Sequence, residues 1–306
     1  MHTIDLSSAL EILSGHEELS RVEIESLFTA LLATHDEAGW AALLSALAIK
    51  GESVEEVAGA VEWLRHKATS ISVPTEMEDK VIDCCGTGGD QKHTLNISTL
   101  AALVAAAGNA LILKHGNRSA SGNFGSIDLI EALHIPIAHD PSTAVSLLKS
   151  NNIAFLHAPS FHPALKEISG IRKKLGIPTI FNVAAPLAHP AWIQRQIVGV
   201  WRDNYLDFLP QILCEIGIQQ ALIVYGKGLD EFTTLDVNEY ARITGTDEDI
   251  IYDHFDPKTL DLCAVSEGSL VCLSREDYIH KAKRVISGAL CPESDIVALN
   301  AELFSW

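Results

Sequence analysis

Positive charge is scarce in this sequence: 22 lysines and arginines face 40 aspartates and glutamates over 306 residues, a formal net charge of −18. A surface of that sign matches nucleic-acid phosphates poorly, so nucleic acid is not an expected partner. A small phosphorylated ligand is not excluded, because a few local donors and a metal ion override the global field. Cysteines are few, 6 in all, and none shows metal-ligand spacing. Cys84 and Cys85 are adjacent in an apolar run, and Cys214, Cys263, Cys272 and Cys291 lie far apart, so all six read as apolar fillers, not as a disulfide framework. No apolar stretch reaches bilayer-spanning length, and Met1-His2-Thr3-Ile4-Asp5 lacks the basic region and apolar core of a secretory signal. A cytoplasmic protein with no membrane partner is the expectation. What the chain does have is a hydrophobic fraction of 47% against 20% charged, enough for a substantial core.

The first seventy or so residues read as helices. Ser20 and Ser53 are each followed three residues later by glutamate, the capping-box pattern. Ile24, Leu27, Leu31 and Leu32 then share one face, as do Val57, Val61 and Leu64. Trp40, Leu43, Leu44 and Leu47 form a further apolar stripe that ends near Gly51. Residues 68–79 carry no period, contain Pro74 and read as a linker. From Val81 onward, short apolar runs alternate with helix-like stretches. Val81–Cys85, Ala110–Leu113, Ile153–Leu156 and Ala221–Tyr225 are strand candidates, and Thr99–Ala107 is a buried helix. The pattern predicts an α/β fold with a mostly parallel central sheet behind a small helical domain, divided into residues 1–70 and 71–306. Thr233–Asp261 is expected to be irregular or to hold short strands.

Residues suited to chemistry follow the strand candidates, where parallel sheets bind ligands. After the first strand comes Gly86-Thr87-Gly88-Gly89-Asp90, with Asn96, Ser98 and Thr99 at the start of the next helix. Glycines let backbone N–H groups approach an anion, and a helix N-terminus adds its positive end. Taken alone, the turn reads equally as a phosphate nest and as a tight strand-to-helix connection. After the second strand comes Lys114-His115-Gly116-Asn117-Arg118, then a glycine- and serine-rich run to Ser126. Two such loops on successive strand ends favour a polyanion site over a merely solvated loop. Asp230-Glu231, following Ala221–Tyr225, would repel a polyphosphate unless divalent cations lay between them. Mg²⁺ bridges carboxylates and phosphates in this way. His157 to Ala164, with Arg172 on the following helix, offers aromatic, proline and guanidinium contacts to a planar anion.

In that order along the chain, Gly86-Thr87-Gly88-Gly89-Asp90, Asn96-Ile97-Ser98-Thr99, Lys114-His115-Gly116-Asn117-Arg118 and Gly228-Leu229-Asp230-Glu231 resemble the anthranilate phosphoribosyltransferase family. Phe161-His162-Pro163-Ala164 and Thr179-Ile180-Phe181-Asn182 resemble further stretches of it. The resemblance implies a homodimer joined through the helical domain. It also implies a Mg²⁺-dependent pentosyl transfer in tryptophan biosynthesis: the amine of anthranilate displaces diphosphate from phosphoribosyl diphosphate. Carried over by position, Gly86, Gly88, Gly89, Asp90, Asn96, Ser98, Thr99, Lys114 and Ser126 contact the donor or its metal. Ser98, Asp230 and Glu231 belong to the metal sites. Gly86, His115, Asn117, His162 and Arg172 line the acceptor's path. No acid–base residue is assigned, because an arylamine is already a neutral nucleophile.

The chain departs from the family pattern at several places. Ala184-Ala185-Pro186-Leu187-Ala188-His189-Pro190 stands where a Gly-Pro-Leu turn followed by Asn-Pro is usual. Asn123 and Phe124 replace a lysine and a small residue, and Tyr225 replaces a histidine ahead of a Gly226-Lys227-Gly228 loop one residue shorter. The chain ends at Trp306, where family members continue for another helix or two. Two other readings stay open: a transferase acting on a different aromatic acceptor, and a non-catalytic binding homologue.

Overall fold

The computed structural model describes residues 4–87, 94–118, 124–245 and 250–305. The chain opens with helices α1 (Leu6–Ser14), α2 (Arg21–Thr34), α3 (Glu37–Lys50) and α4 (Val54–Lys67), capped by Asp5, Ser20, Asp36 and Ser53. Each cap side chain accepts a backbone N–H that the first turn leaves unpaired. Both expected capping boxes are present, Ser20 with Glu23 and Ser53 with Glu56. Glu56 is fully buried, which its partners explain: Lys50 Nζ at 2.9 Å and the backbone N–H groups of Leu19 and Ser53 at 3.0 and 2.8 Å. The expected stripe of Trp40, Leu43, Leu44 and Leu47 is buried, and α3 stops at Gly51, whose φ of +89° favours glycine.

These helices do not close their core alone. Phe28, Trp40 and Trp63 pack around Phe181, with ring centroids 5.2, 6.1 and 6.2 Å from it. Phe181 opens the later helix Phe181–Leu187. Burying Phe28 and Phe181 contributes about 1.5–3 kcal/mol each. Arg65, buried on α4, donates to the carbonyls of Leu187 (3.2 Å) and Ile216 (3.1 Å), fixing the helices against later segments. The linker is also tied down, with the Thr69 N–H on the Phe161 carbonyl and a single helical turn at Thr75–Glu78.

The remaining chain forms an eight-stranded sheet. Its strands are β1 (Val81–Gly86), β2 (Leu111–Gly116), β3 (Ile137–Ala138), β4 (Ile153–His157), β5 (Arg195–Gly199), β6 (Gln220–Tyr225), β7 (Asn238–Thr244) and β8 (Ile250–Phe255). The order is β3-β4-β2-β1-β5-β6-β7-β8, parallel through β6, then antiparallel. Near-continuous burial of β1, β4 and β6 is what helices on both faces of a parallel sheet demand. The stretch Thr233–Asp261, expected to be irregular or to hold short strands, holds the strands β7 and β8. β7 mixes buried with half-buried residues, and β8 is an edge strand that leaves Ile251 and Tyr252 exposed, so neither shows an apolar run.

This order places the site. The chain passes from β1 to β2 on one side, then returns to lay β5 against β1 on the other. A crevice opens at the carboxyl ends of strands where the winding reverses. Among the described residues no helix is long and apolar enough to cross a membrane.

Candidate active site

Three strands end on glycines, and in each case a side chain would collide with a functional group. A Cβ at Gly86 would lie 2.2 Å from Asp230 Oδ2, and one at Gly116 would lie 2.3 Å from Ser126 Oγ. At Gly199 it would fall 1.7 Å from the Asp230 carbonyl. The strand ends are bare so that the Asp230 turn and the helix beginning at Ser126 can close over them. Between these ends lies a cleft of about 660 Å³. Gly86, Asn96, Ser98, Thr99, Lys114, His115, Asn117, Ser126, His162, Arg172 and Asp230 all line it. A larger depression of about 730 Å³ lies near Asp203 and His254. Among the described residues lining it are four carboxylates and no lysine or arginine, a poor setting for a diphosphate.

One wall is built for charge. Ser98 lies in the first turn of the helix Ile97–Ala107, and its backbone N–H donates to Glu231 Oε1 at 2.9 Å. Glu231 is half-buried beside Asp230; desolvation first, then that neighbouring carboxylate, lift its pKa to about 8. Lys114 is buried as well, its Nζ donating to the Cys84 carbonyl and lying 3.4 Å from Ser98 Oγ. Burial works against that charge, but the acidic groups around it, Cys84, Asp83 and Glu231 among them, hold its pKa above the ordinary lysine value. Asn96 Nδ2 donates to the Phe124 carbonyl at 3.4 Å, joining the first loop to the second, and Ser126 Oγ donates to the Asn117 carbonyl at 3.4 Å. Arg118, which closes the Lys114–Arg118 run, turns to Asp128 (3.2 Å) and Glu131 on the next helix.

The carboxylates Asp230 and Glu231, with the Ser98 hydroxyl, form an all-oxygen set in which burial and the neighbouring acid hold Glu231 far above its ordinary pKa. A hard divalent cation such as Mg²⁺ fits that chemistry, since it relieves the repulsion the two acids impose on each other.

The opposite wall is lined by His115, His162, Arg172, Ala185 and Pro186. Arg172 Nη2 donates to Asn182 Oδ1 at 3.2 Å, and its guanidinium carbon lies 5.8 Å from the Phe181 ring centre. Among the described residues no carboxylate pairs with it, and burial lowers its pKa. Lys173 and Lys174, on the same helix (Pro163–Leu175), are exposed. His162 is buried, and burial, with His115 and His189 nearby, pushes its pKa down to about 3. It is therefore a neutral imidazole at pH 7.

The structure thus gathers most of the expected residues around one cleft, with Glu231 in an adjoining pocket beside Ser98 and Asp230. Gly88, Gly89 and Asp90, and the departure at Asn123, lie outside the described residues. Sequence reasoning passes over Asp83, His189 and Gln196. His115 Nδ1 lies 2.7 Å from Asp83 Oδ2, and Gln196 Nε2 donates to the same oxygen at 3.2 Å. His189 stands edge-on to His115, 5.2 Å between ring centres. Ligand atoms of Asp83, His115 and His189 lie close enough together to suit a metal. Both ring nitrogens of His189 are committed, however: Nε2 donates to the Leu113 carbonyl at 2.8 Å and Nδ1 accepts from Ala191 N–H at 3.1 Å. The signal for Asp83 is present in Val81-Ile82-Asp83-Cys84-Cys85, since an acid inside a buried strand requires a partner.

A helical bundle joined to a mostly parallel α/β sheet, with a cleft at the strand ends, defines a class of glycosyl transferase. The family model for the helical bundle domain of the glycosyl transferase family matches residues 7–68, and that for its a/b domain matches residues 78–306. Anthranilate phosphoribosyltransferase of Acetivibrio thermocellus is 37% identical over 298 residues, covering 97% of this chain and 85% of that one. The Methanosphaerula palustris enzyme of the same name is 37% identical over 289 residues, 93% of this chain and 82% of its relative. Among solved structures, anthranilate phosphoribosyltransferase from Thermus thermophilus superposes with a TM-score of 0.85 at 32% identity, covering 96% of this chain and 87% of that one. The Saccharomyces cerevisiae enzyme in complex with PRPP and Mg gives a TM-score of 0.87 at 26% identity, covering 98% of this chain and 87% of that one. The chain belongs to the anthranilate phosphoribosyltransferase family.

Proposed function

We propose that the protein transfers the phosphoribosyl group of phosphoribosyl diphosphate to the amine of anthranilate, releasing diphosphate, as a step toward tryptophan. The observation that carries this reading is a single cleft with two unlike walls: Ser98, Lys114 and the Asp230–Glu231 pair on one side, and Arg172, His162 and His115 on the other. Membership of the family supports it, as does the yeast relative solved with PRPP and Mg. In this reading Gly86, Gly88, Gly89, Asp90, Asn96, Ser98, Thr99, Lys114 and Ser126 receive the donor. Gly86, His115, Asn117, His162 and Arg172 receive anthranilate. Residues 1–70 form a helical domain and residues 71–306 the catalytic one.

The barrier in such a transfer lies in parting diphosphate from a ribosyl centre that gains positive charge. Fixed donors where negative charge grows act on that barrier directly. Lys114 is one: buried, protonated and anchored on the Cys84 carbonyl, it needs no reorganisation as the leaving group forms. The N-terminus of the helix Ile97–Ala107 adds its positive end beside the diphosphate. Asp230, Glu231 and Ser98 would hold Mg²⁺, which when bound neutralises charge on the diphosphate. On the facing wall, Arg172 offers its fork to the acceptor carboxylate and so directs the amine toward the sugar. That alignment lowers the barrier by positioning alone. No residue is required to remove a proton before attack.

Membership of the family supports a homodimer joined through the helical domain, which light scattering would check. A cytoplasmic location fits a biosynthetic role. Mixing the protein with anthranilate, phosphoribosyl diphosphate and Mg²⁺ should extinguish anthranilate fluorescence in step with diphosphate release. Unchanged fluorescence at saturating donor would refute the proposed activity.

A further inference from the structure

Asp83 lies on the central strand β1, in register with Gln196 on β5 and beside His115 on β2. It is fully buried, and its two flanking partners both continue to the same short segment. His115 faces Asp83 Oδ2 through Nδ1 (2.7 Å) and the Ala185 carbonyl through Nε2 (3.3 Å). Gln196 Nε2 donates to Asp83 Oδ2 (3.2 Å) and to the Pro186 carbonyl (2.9 Å). Ala185 and Pro186 line the cleft.

We propose that Asp83 is a positioning residue for the acceptor: its carboxylate anchors two struts, through His115 to Ala185 and through Gln196 to Pro186, that set the wall on which the acceptor rests. The assignment rests on the proposed transfer to anthranilate. Its logic is one of donors and acceptors. His115 Nδ1 lies 2.7 Å from a carboxylate oxygen and Nε2 3.3 Å from a carbonyl, surroundings that an imidazolium with hydrogen on both nitrogens suits best. As an imidazolium, His115 presents charge and a ring edge to the cleft. Gln196 has two amide hydrogens for its two oxygen partners, and its backbone pairs with Asp83 across the sheet. Burial works against charge on the ring, but Asp83 outweighs it and raises the His115 pKa above the usual value. The other groups facing His115 are Lys114 on its own strand, His189 on the segment before β5, and His162 at the head of the helix Pro163–Leu175. Burial lowers the pKa of both histidines, so His162 and His189 remain neutral and Lys114 is the cation that opposes it.

Nitrogen-15 spectra of the His115 ring in the native protein test the first strut without any substrate. They should show both nitrogens protonated at neutral pH, with titration well above the ordinary value of about 6.5. In Asp83→Asn the ring should titrate at or below that value. The anthranilate KM should rise about tenfold, with the donor KM changed less than about twofold. Gln196→Met cuts only the second strut; it should raise the anthranilate KM about threefold and leave the His115 titration in place. A neutral His115 ring in the native protein at pH 7 would overturn the proposal, as would equal rises in both KM values in Gln196→Met. Should Asp83→Asn fail to fold, the native spectra and Gln196→Met still decide. Absence of transfer to anthranilate in the native protein would instead remove the transferase reading, leaving the struts to be judged by the titration.

Discussion

The two walls of the cleft are made by opposite means. The donor wall consists of local devices: strand ends stripped to glycine, a helix N-terminus, a buried lysine and two adjacent acids. Each comes from a short run of sequence, and the two adjacent acids crowd each other, so that desolvation and repulsion lift the Glu231 pKa. The acceptor wall is assembled from Asp83, His115, Ala185, Pro186 and Gln196, drawn from three strands and a helix, and the charges of Asp83 and His115 are already balanced within the protein. The site for a highly charged group thus concentrates like charges that a cation relieves, and the site for a planar aromatic is braced from beneath.

The sharpest way to break this contrast is to remove the two crowded acids. Asp230→Asn with Glu231→Gln should depress turnover by at least about a hundredfold and abolish its dependence on Mg²⁺. Melting should be unchanged or slightly improved, because two mutually repelling acids leave the interior. Loss of folding in that double variant would mean the pair is structural. Next comes Gly199→Ala, whose new Cβ would meet the Asp230 carbonyl, a backbone atom that cannot turn aside. A loss of about 2–4 kcal/mol in chemical denaturation and of most activity is expected. Gly86→Ala meets only the Asp230 carboxylate, so it should raise the donor KM with folding intact.

On the facing wall, Arg172→Ala should raise the anthranilate KM about tenfold and the donor KM less than about twofold; equal changes would remove Arg172 from the acceptor path. The smallest effect concerns pH. The Asp83 pKa lies below its ordinary 3.8, because His115 and its neighbours outweigh burial, and the His115 pKa lies above its ordinary 6.5. Asp83 therefore stabilises the fold above the carboxylate range and loses this as pH falls through its folded pKa. His115 stabilises it below pH 6.5 and loses this as pH rises through its own. Asp83→Asn should flatten the alkaline decline of the melting temperature. The acid decline should persist, because His162 and His189, held neutral with pKa values of about 3 and 4, must take up protons on unfolding. An alkaline limb unchanged in Asp83→Asn would dissolve the proposed pair.

This division also explains what can be read from sequence. The capping boxes at Ser20 and Ser53 and the strands Val81–Cys85 and Ile153–Leu156 are contiguous signals, and each reappears in the fold. The described loop residues of the donor wall are equally local, and they meet in the cleft. Strand β5 gives no such signal, because Arg195-Gln196-Ile197-Val198-Gly199 begins with two polar residues, one of them serving Asp83. β7 and β8 are hidden for another reason: an antiparallel edge exposes what a buried strand conceals. The sequence also does not show that Arg118, beside Lys114 in the second loop, is taken up by two acids on the next helix. The departure at Ala184 to Pro190 stands out in the sequence, but only the sheet reveals that the carbonyls of Ala185 and Pro186 are held from beneath by His115 and Gln196.

The division between walls is tested most directly by calorimetric titration of phosphoribosyl diphosphate, with and without Mg²⁺, into the native protein, the Asp230→Asn/Glu231→Gln variant and Arg172→Ala. The account predicts Mg²⁺-dependent binding that is lost in the acidic double variant and preserved in Arg172→Ala. Binding that ignores Mg²⁺, or that survives removal of both acids, would contradict it.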